Sequence, residues 1–265
     1  MGRWRARRVR QAISLPVAAC QDDSWLEFDG SIKPAAREGI DLETVNFRTR
    51  TGQVRRAKTR ARILTTAFAL FDEKGLQNVT VEDVRALAGL ARGSFYNYFP
   101  TYEHMLRELA VQISLQINRE QSARFDNVTN SVERMWCNLR YFILRGGSDR
   151  SCGEILIRIT PLLGPLNDSM RIRAEQELRS CVRKKMIRVP SSGVALDLGY
   201  GLGSVMIRRA SENGINLKDI GAAGLLFMRA LGVPESEAQR ISELPLPEMP
   251  AVPLRDAVIG SIDDI

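Results

Sequence analysis

Arg92, Ser94, Tyr96 and Asn97 share one short segment with Phe95 and Phe99, and the two sets of side chains suit different tasks. An arginine fork can pair bidentately with O6 and N7 of guanine, and an asparagine amide can pair in the same way with adenine. Tyr96 and Tyr98 suit phosphate oxygens or a thymine methyl, while Gly93 lets the backbone approach a partner closely. Phe95 and Phe99 are four residues apart, so they share a face and can anchor the segment in a core. The chemistry on offer is recognition of double-stranded DNA. An enzyme would have to rely on His104, the sole histidine, as its only imidazole base. No catalytic residues, metal ligands or cofactor are expected.

Local signals say how this segment is held. Ile63, Leu64, Ala67, Phe68 and Phe71 recur at the spacing of one buried helical face, and Gly75 ends the run, which predicts a helix from about Gln53 to Lys74. Thr80 is placed to cap a second helix, with Asp83 in the capping-box position and Val84, Leu87 and Ala88 on the apolar side. Gly89 breaks that helix. A third short helix is predicted from near Arg92 until Pro100 ends it. Two short helices joined through a glycine turn form the unit that lays its second helix in the major groove.

Charge points to the same region. The 265 residues carry 38 Lys and Arg against 31 Asp and Glu, a net charge of +7. Residues 48–100 hold ten basic and four acidic side chains, whereas the stretches on either side are nearly balanced. Arg48, Arg50, Arg55, Arg56, Lys58, Arg60 and Arg62 follow one another with no intervening acid. Such a run abutting a helix-turn-helix suits an anionic partner, and Arg55, Arg56 and Arg60 are the candidates for phosphate contact.

Thr80-Val-Glu-Asp-Val, Ala88-Gly-Leu90, Arg92-Gly-Ser-Phe-Tyr-Asn-Tyr-Phe99 and Glu103 resemble the amino-terminal domain of TetR-type transcriptional regulators. Arg62-Ile-Leu, Ala67, Leu70-Phe71 and Lys74-Gly75 of the preceding helix match as well, so the resemblance covers about residues 54–110. It implies a dimeric, ligand-released repressor of palindromic operator DNA that works in the cytoplasm. It also implies phosphate contacts at Thr80 and near Thr101, where helix amino termini present backbone amides. Two positions depart from the family pattern. Arg85 stands where a small residue is common and must reach out of the helix contact, and Tyr102 replaces a common lysine, so a phosphate contact there is either weaker or made by the phenol hydroxyl.

Residues 101–235 read as a helical ligand-binding and dimerisation domain. Met105, Leu109, Ile113 and Ile117 stripe a long helix from Thr101 to about Arg124. Further helices are expected at about Val132–Leu144, Cys152–Leu163, Leu166–Ile187, Val194–Glu212 and Leu217–Leu231, with Gly146-Gly147 among the separators. The fold class is therefore all-α: an amino-terminal three-helix helix-turn-helix domain and a carboxy-terminal bundle. Following the family, an effector of unknown identity would be lined by Met135, Trp136, Phe142, Ile155 and Ile159, although an apolar stripe at helical spacing equally suits plain core. Arg171, Arg173, Arg179, Arg183, Lys184, Lys185 and Arg188 make one helix basic, which suits a solvated face or an anionic ligand. The resemblance also implies that the last two long helices pair with their copies in a homodimer, where Gly199, Gly203, Gly221, Gly224 and Met228 would allow close approach. Gly199-Tyr-Gly201-Leu-Gly203 makes a poor nucleotide loop, because no strand precedes it.

The ends of the chain read as irregular. Five arginines lie in the first ten residues, and a short apolar stretch ending in Val-Ala-Ala-Cys20 imitates a lipoprotein cleavage site. Ser14 and Pro16 interrupt it, so residues 1–47 are taken as a disordered leader with no membrane role. Pro245, Pro247, Pro250 and Pro253 mark residues 236–265 as an irregular tail. The four cysteines are far apart, which argues against a zinc ribbon or a disulfide scaffold. The alternative to a specific regulator is an architectural DNA-binding protein without an effector.

Overall fold

The computed structural model describes residues 42–163, 168–245 and 248–263. Contacts divide the chain at Phe47 into two units, and the account below concerns Arg48–Ile265. The leader expected over 1–47 lies outside the described residues up to position 41; from Leu42 the chain is helical. The described residues form ten α-helices and contain no strand. None of these helices is long and apolar enough to cross a membrane.

Helix α1 (Leu42–Lys74) begins before the predicted start at Gln53. Its second half buries Ile63, Leu64, Ala67, Phe68 and Phe71. Gly75 closes it with φ +77° while donating its amide to the Phe71 carbonyl at 2.9 Å. Helix α2 (Val81–Leu87) starts at a complete capping box. The Asp83 amide donates to Thr80 Oγ1 at 3.2 Å, and Asp83 Oδ2 accepts from the Thr80 amide at 2.9 Å.

The third short helix is a single 3-10 turn, Ser94–Asn97, instead of an α-helix from Arg92. Gly93 is left-handed at φ +87°, and Pro100 follows so soon that no room remains for a cooperative α-helix. Tertiary contact holds the turn: Phe95 and Phe99 are buried with their ring centroids 5.7 Å apart.

Helix α3 (Tyr102–Phe125) leaves the head and buries Met105, Leu109, Ile113 and Ile117 as expected. It is followed by α4 (Ser131–Gly147), α5 (Arg150–Leu163), α6 (Asp168–Arg183), α7 (Ser192–Asn213) and α8 (Leu217–Ala230). Gly146 and Gly147 do not separate helices but form the last residues of α4, where α7 crosses. A Cβ on Gly147 would lie 2.5 Å from the Ala210 Cβ, and one on Gly146 would lie 2.9 Å from Ile207.

The carboxy-terminal stretch is not the irregular tail expected over 236–265. Helices α9 (Glu235–Ser242) and α10 (Leu254–Asp263) flank the proline-containing link. Leu254, Val258 and Ile262 are buried at four-residue spacing, and α10 packs on α3 and α5. Two buried arginines of α4 hold the link: Arg140 donates to the carbonyls of Leu244 and Pro245, and Arg145 donates to that of Val252. A stripe this short falls below the window in which periodicity can be read, so the prolines dominated the expectation.

Candidate nucleic-acid interface and ligand cavity

Around the 3-10 turn, burial sorts the side chains. Phe95 and Phe99 are at most 1% exposed, whereas Tyr96 is 58% exposed and Arg92, Gly93 and Asn97 face solvent with it. Ser94 is half-buried. Gly93 is needed for its left-handed φ, since a Cβ there would meet nothing within 4 Å. Thr80 and Thr101 are exposed caps at the amino ends of α2 and α3. His104 belongs to the second cap: its amide donates to Thr101 Oγ1 at 3.2 Å, and its Nδ1 lies 3.0 Å from the same oxygen.

The cations between Arg55 and Arg62 fall into two groups. Arg56 donates to the Asn97 carbonyl at 2.9 Å, and its guanidinium lies 5.8 Å from the centre of the Tyr98 ring. Arg60 donates to the Tyr98 carbonyl at 3.0 Å, lies 4.4 Å from the Phe99 ring centre, and pairs with Glu108 at 3.3 Å. These two arginines brace the turn from behind. Arg55, Lys58 and Arg62, at helical spacing on another face, are exposed.

Tyr102 does not offer the hydroxyl expected of it. Its ring meets Phe71 edge-on at 6.4 Å, its hydroxyl reaches the Leu76 carbonyl at 3.4 Å, and burial pushes its pKa up to about 12. It packs α3 against α1. Arg85 leaves the α2 contact as its length allows, donating to the Leu90 carbonyl at 2.6 Å and pairing with Glu82.

Between α3, α4, α6, α7 and α8 lies a cavity of about 120 Å³. Met135, Leu139, Phe142 and Phe227 give it apolar walls, and Asn118, Asn138, Arg173, Glu177 and Tyr200 interrupt them. Glu177 accepts from Arg134 Nε and Asn138 Nδ2, each at 3.1 Å. Burial pushes the Tyr200 phenol up to about 12, so it stays protonated.

Residues 63–109 match the family model described as bacterial regulatory proteins, tetR family. Those residues thus form a tetR-like amino-terminal segment, and the match does not extend beyond them. Curated relatives match over part of the chain. The chain is 33% identical over 76 residues to the HTH-type transcriptional repressor KstR2 of Mycobacterium tuberculosis, covering 29% of this chain and 38% of that one. It is 36% identical over 95 residues to the HTH-type transcriptional regulator EthR of Mycolicibacterium smegmatis, covering 34% and 42%. The chain thus spans about two fifths of the length of the tetR-family relatives it matches. Among solved structures, RolR in complex with resorcinol has a TM-score of 0.57 at 22% identity, over 74% of this chain and 98% of that one. A tetR-family regulatory protein from Rhodococcus RHA1 has a TM-score of 0.50 at 16% identity, over 67% and 98%. At these identities the likeness is one of fold.

In the helical bundle, Met135 and Phe142 line the cavity, but Trp136, Ile155 and Ile159 do not. Trp136 is fully buried behind the wall, and Ile155 and Ile159 fill the core shared with α3 and α10. An apolar stripe at helical spacing does not say whether the space it faces is filled or hollow. Of the polar lining residues, Arg173 stands out in the sequence only as part of the basic run, and Asn118 only by directly following the core residue Ile117.

Gly203, Gly224 and Met228, expected at a dimer interface, are buried within the chain, whereas Gly199 and Gly221 are half-buried. A Cβ on Gly224 would lie 2.2 Å from the Trp136 ring, Gly203 packs against Leu139 and Phe142, and Met228 is fully buried. Gly199 faces the Phe227 ring and Gly221 the Ser242 carbonyl. The outward faces carry other residues: Val194, Leu198 and Val205 on α7 and Leu226 on α8 are exposed. Three of the seven residues of the basic run meet carboxylates, Arg171 and Arg179 on Glu175 and Arg173 on Asp126, and Lys184 donates to Ser131 Oγ at 2.9 Å.

Proposed function

We propose that this chain is a sequence-specific DNA-binding repressor that reads a palindromic operator as a dimer and releases it on binding a small molecule. One observation carries the reading. Arg92, Tyr96 and Asn97 stand exposed on a turn whose aromatic residues are buried and whose carbonyls are braced by Arg56 and Arg60. Exposed polar groups on a rigid support are what base readout needs, and Arg55, Lys58 and Arg62 add cations for the phosphate backbone.

Dimerisation through the exposed apolar faces of α7 and α8 would set two such turns about one DNA turn apart, or a multiple of it. Release follows from the path of α3. Its first turn lies beside the recognition turn and its Asn118 lines the cavity, about 24 Å away at the helical rise per residue. A ligand that shifts Asn118 moves the head with it. The reading assigns no catalytic step, engages His104 in a cap, and places the protein in the cytoplasm with the chromosome.

The test compares affinity for the DNA upstream of the chain's own gene with affinity for random DNA of equal length. A preference of a thousandfold or more, lost in Tyr96→Ala and Arg92→Ala, is expected. Equal affinities would instead indicate an architectural protein that binds DNA without regard to sequence.

A further inference from the structure

We propose that helix α10 is a splint: it fastens the stretch of α3 between the head and the cavity to α1, so that these parts move as one body. This deepens the reading of a ligand-released repressor and rests on it only for what the movement achieves, not for the splint.

Contacts pin the segment along its whole length. At the start of the link, Arg140 of α4 holds the carbonyls of Leu244 and Pro245. At its end, one amino group of Arg145 donates both to the Val252 carbonyl at 2.9 Å and to Glu120 of α3 at 3.0 Å. Asp149 then joins two helix starts, one carboxylate oxygen accepting from the Cys152 amide of α5 at 3.0 Å and the other from the Arg255 amide of α10 at 3.3 Å. Near the far end of α10, Ser261 Oγ accepts from Arg119 of α3 at 2.8 Å. Arg140 and Arg145 are at most 5% exposed, so pulling the link away would strand two buried cations.

The direction of α10 gives these contacts a consequence. Its first turn reaches the head, where Arg255 pairs with Asp72 near the end of α1. Its last turn reaches Arg119, the residue after Asn118 of the cavity lining. Helix α10 thus runs beside α3 over the interval through which a shift at Asn118 would travel to the head. Leu254, Val258 and Ile262 share one apolar core with Phe68 and Phe71 of α1 and with Leu109 and Ile113 of α3. A lone helix can absorb a displacement by bending, whereas helices packed on a common core transmit it. The partly exposed pair of Arg255 with Asp72 adds little energy by itself. The buried stripe carries the coupling, and the pair fixes where the splint meets α1.

Hydrogen exchange of the full chain without DNA tests this. Val258→Asp, which puts a carboxylate into the shared core, should release α10 and speed amide exchange in residues 63–71 and 105–117 about tenfold or more, while α8 changes less than about twofold. Arg255→Met combined with Ser261→Ala leaves that core intact and should give the same pattern at about two- to fivefold, so it decides the question if Val258→Asp does not fold. Acceleration spread evenly over all helices would make α10 ordinary support, and no acceleration in the head would leave it unconnected to α1; either result overturns the splint. Operator binding is scored separately: its absence removes the repressor reading, while selective acceleration in the head leaves the splint standing. Specific operator binding with evenly spread acceleration does the reverse.

Discussion

The guanidinium of Arg60 donates to the carbonyl oxygen of Tyr98 at 3.0 Å across the junction of α1 and the recognition turn. The same group lies over the Phe99 ring and pairs with Glu108. An arginine from a basic run thus acts as a brace for the exposed turn, while Arg55 in the same run is exposed to solvent.

The two arginines should therefore separate by experiment. Arg60→Ala is expected to lower stability by about 1 kcal/mol, the scale of one hydrogen bond with a partly exposed cation–π contact. Arg60→Lys should recover little of it, since an ammonium lacks the planar fork. Arg55→Ala should leave stability within about 0.5 kcal/mol and flatten the dependence of log affinity on log salt by about one phosphate contact. Urea unfolding and fluorescence anisotropy at several salt concentrations would measure both; identical profiles for the two variants would refute the division.

Gly224 and Leu226 make a second contrast. Gly224→Ala drives a methyl into the fully buried Trp136 ring and should cost about 1–3 kcal/mol. Leu226→Arg alters only an exposed face and should split a dimer without lowering the monomer's melting temperature. Light scattering alongside thermal melts reads both. A dimer that survives Leu226→Arg and is broken by Gly224→Ala would return the interface to the glycines.

Glu120 sits buried between Arg145, at 2.9 Å, and the Tyr141 hydroxyl, at 2.7 Å. Burial pushes its carboxyl up, but hydrogen bonds from Arg145, Tyr141 and Gln116 outweigh burial and hold it below its ordinary 4.5. A lowered folded pKa gives stability that is fully present above the unfolded value and is lost as pH falls through the folded one. Acid melts of the native chain should therefore weaken only below about pH 4.5 from this group. Arg145→Met, which strands the carboxylate, should cost about 3–5 kcal/mol at pH 7. A native-like melt for Arg145→Met would exclude the network as a support of α4 against α3.

The capping box carries its own pH signature. Hydrogen bonds from the Thr80 hydroxyl, the Thr80 amide and Lys74 hold the Asp83 carboxyl at about 2, against an ordinary 3.8. The cap's contribution is present above 3.8 and disappears as pH falls through about 2. Titration of Asp83 followed by NMR should show that low midpoint, and Thr80→Ala should move it toward the ordinary value. An unmoved midpoint would mean that Thr80 does not set it.

Local rules made the head readable. Thr80 with Asp83, the glycines at 75, 89 and 93, and the Phe95 and Phe99 pair are all decided within a few residues. The same rules misjudged α10, where four prolines obscured a stripe of only three apolar residues, and Tyr102, whose phenol is set by Phe71 and Leu76 far back in the chain.

By itself, the sequence determined an all-helical chain with a basic, capped helix-turn-helix, because caps, breaks and periodicity depend on near neighbours. Tertiary structure alone decided which apolar face of α7 turns inward, which arginines brace and which reach outward, and that four helices bring Asn118, Asn138, Arg173 and Tyr200 around one cavity. Helical periodicity shows that a side is apolar, but not what lies against it. That depends on residues distant in sequence, and only the packed chain brings them together.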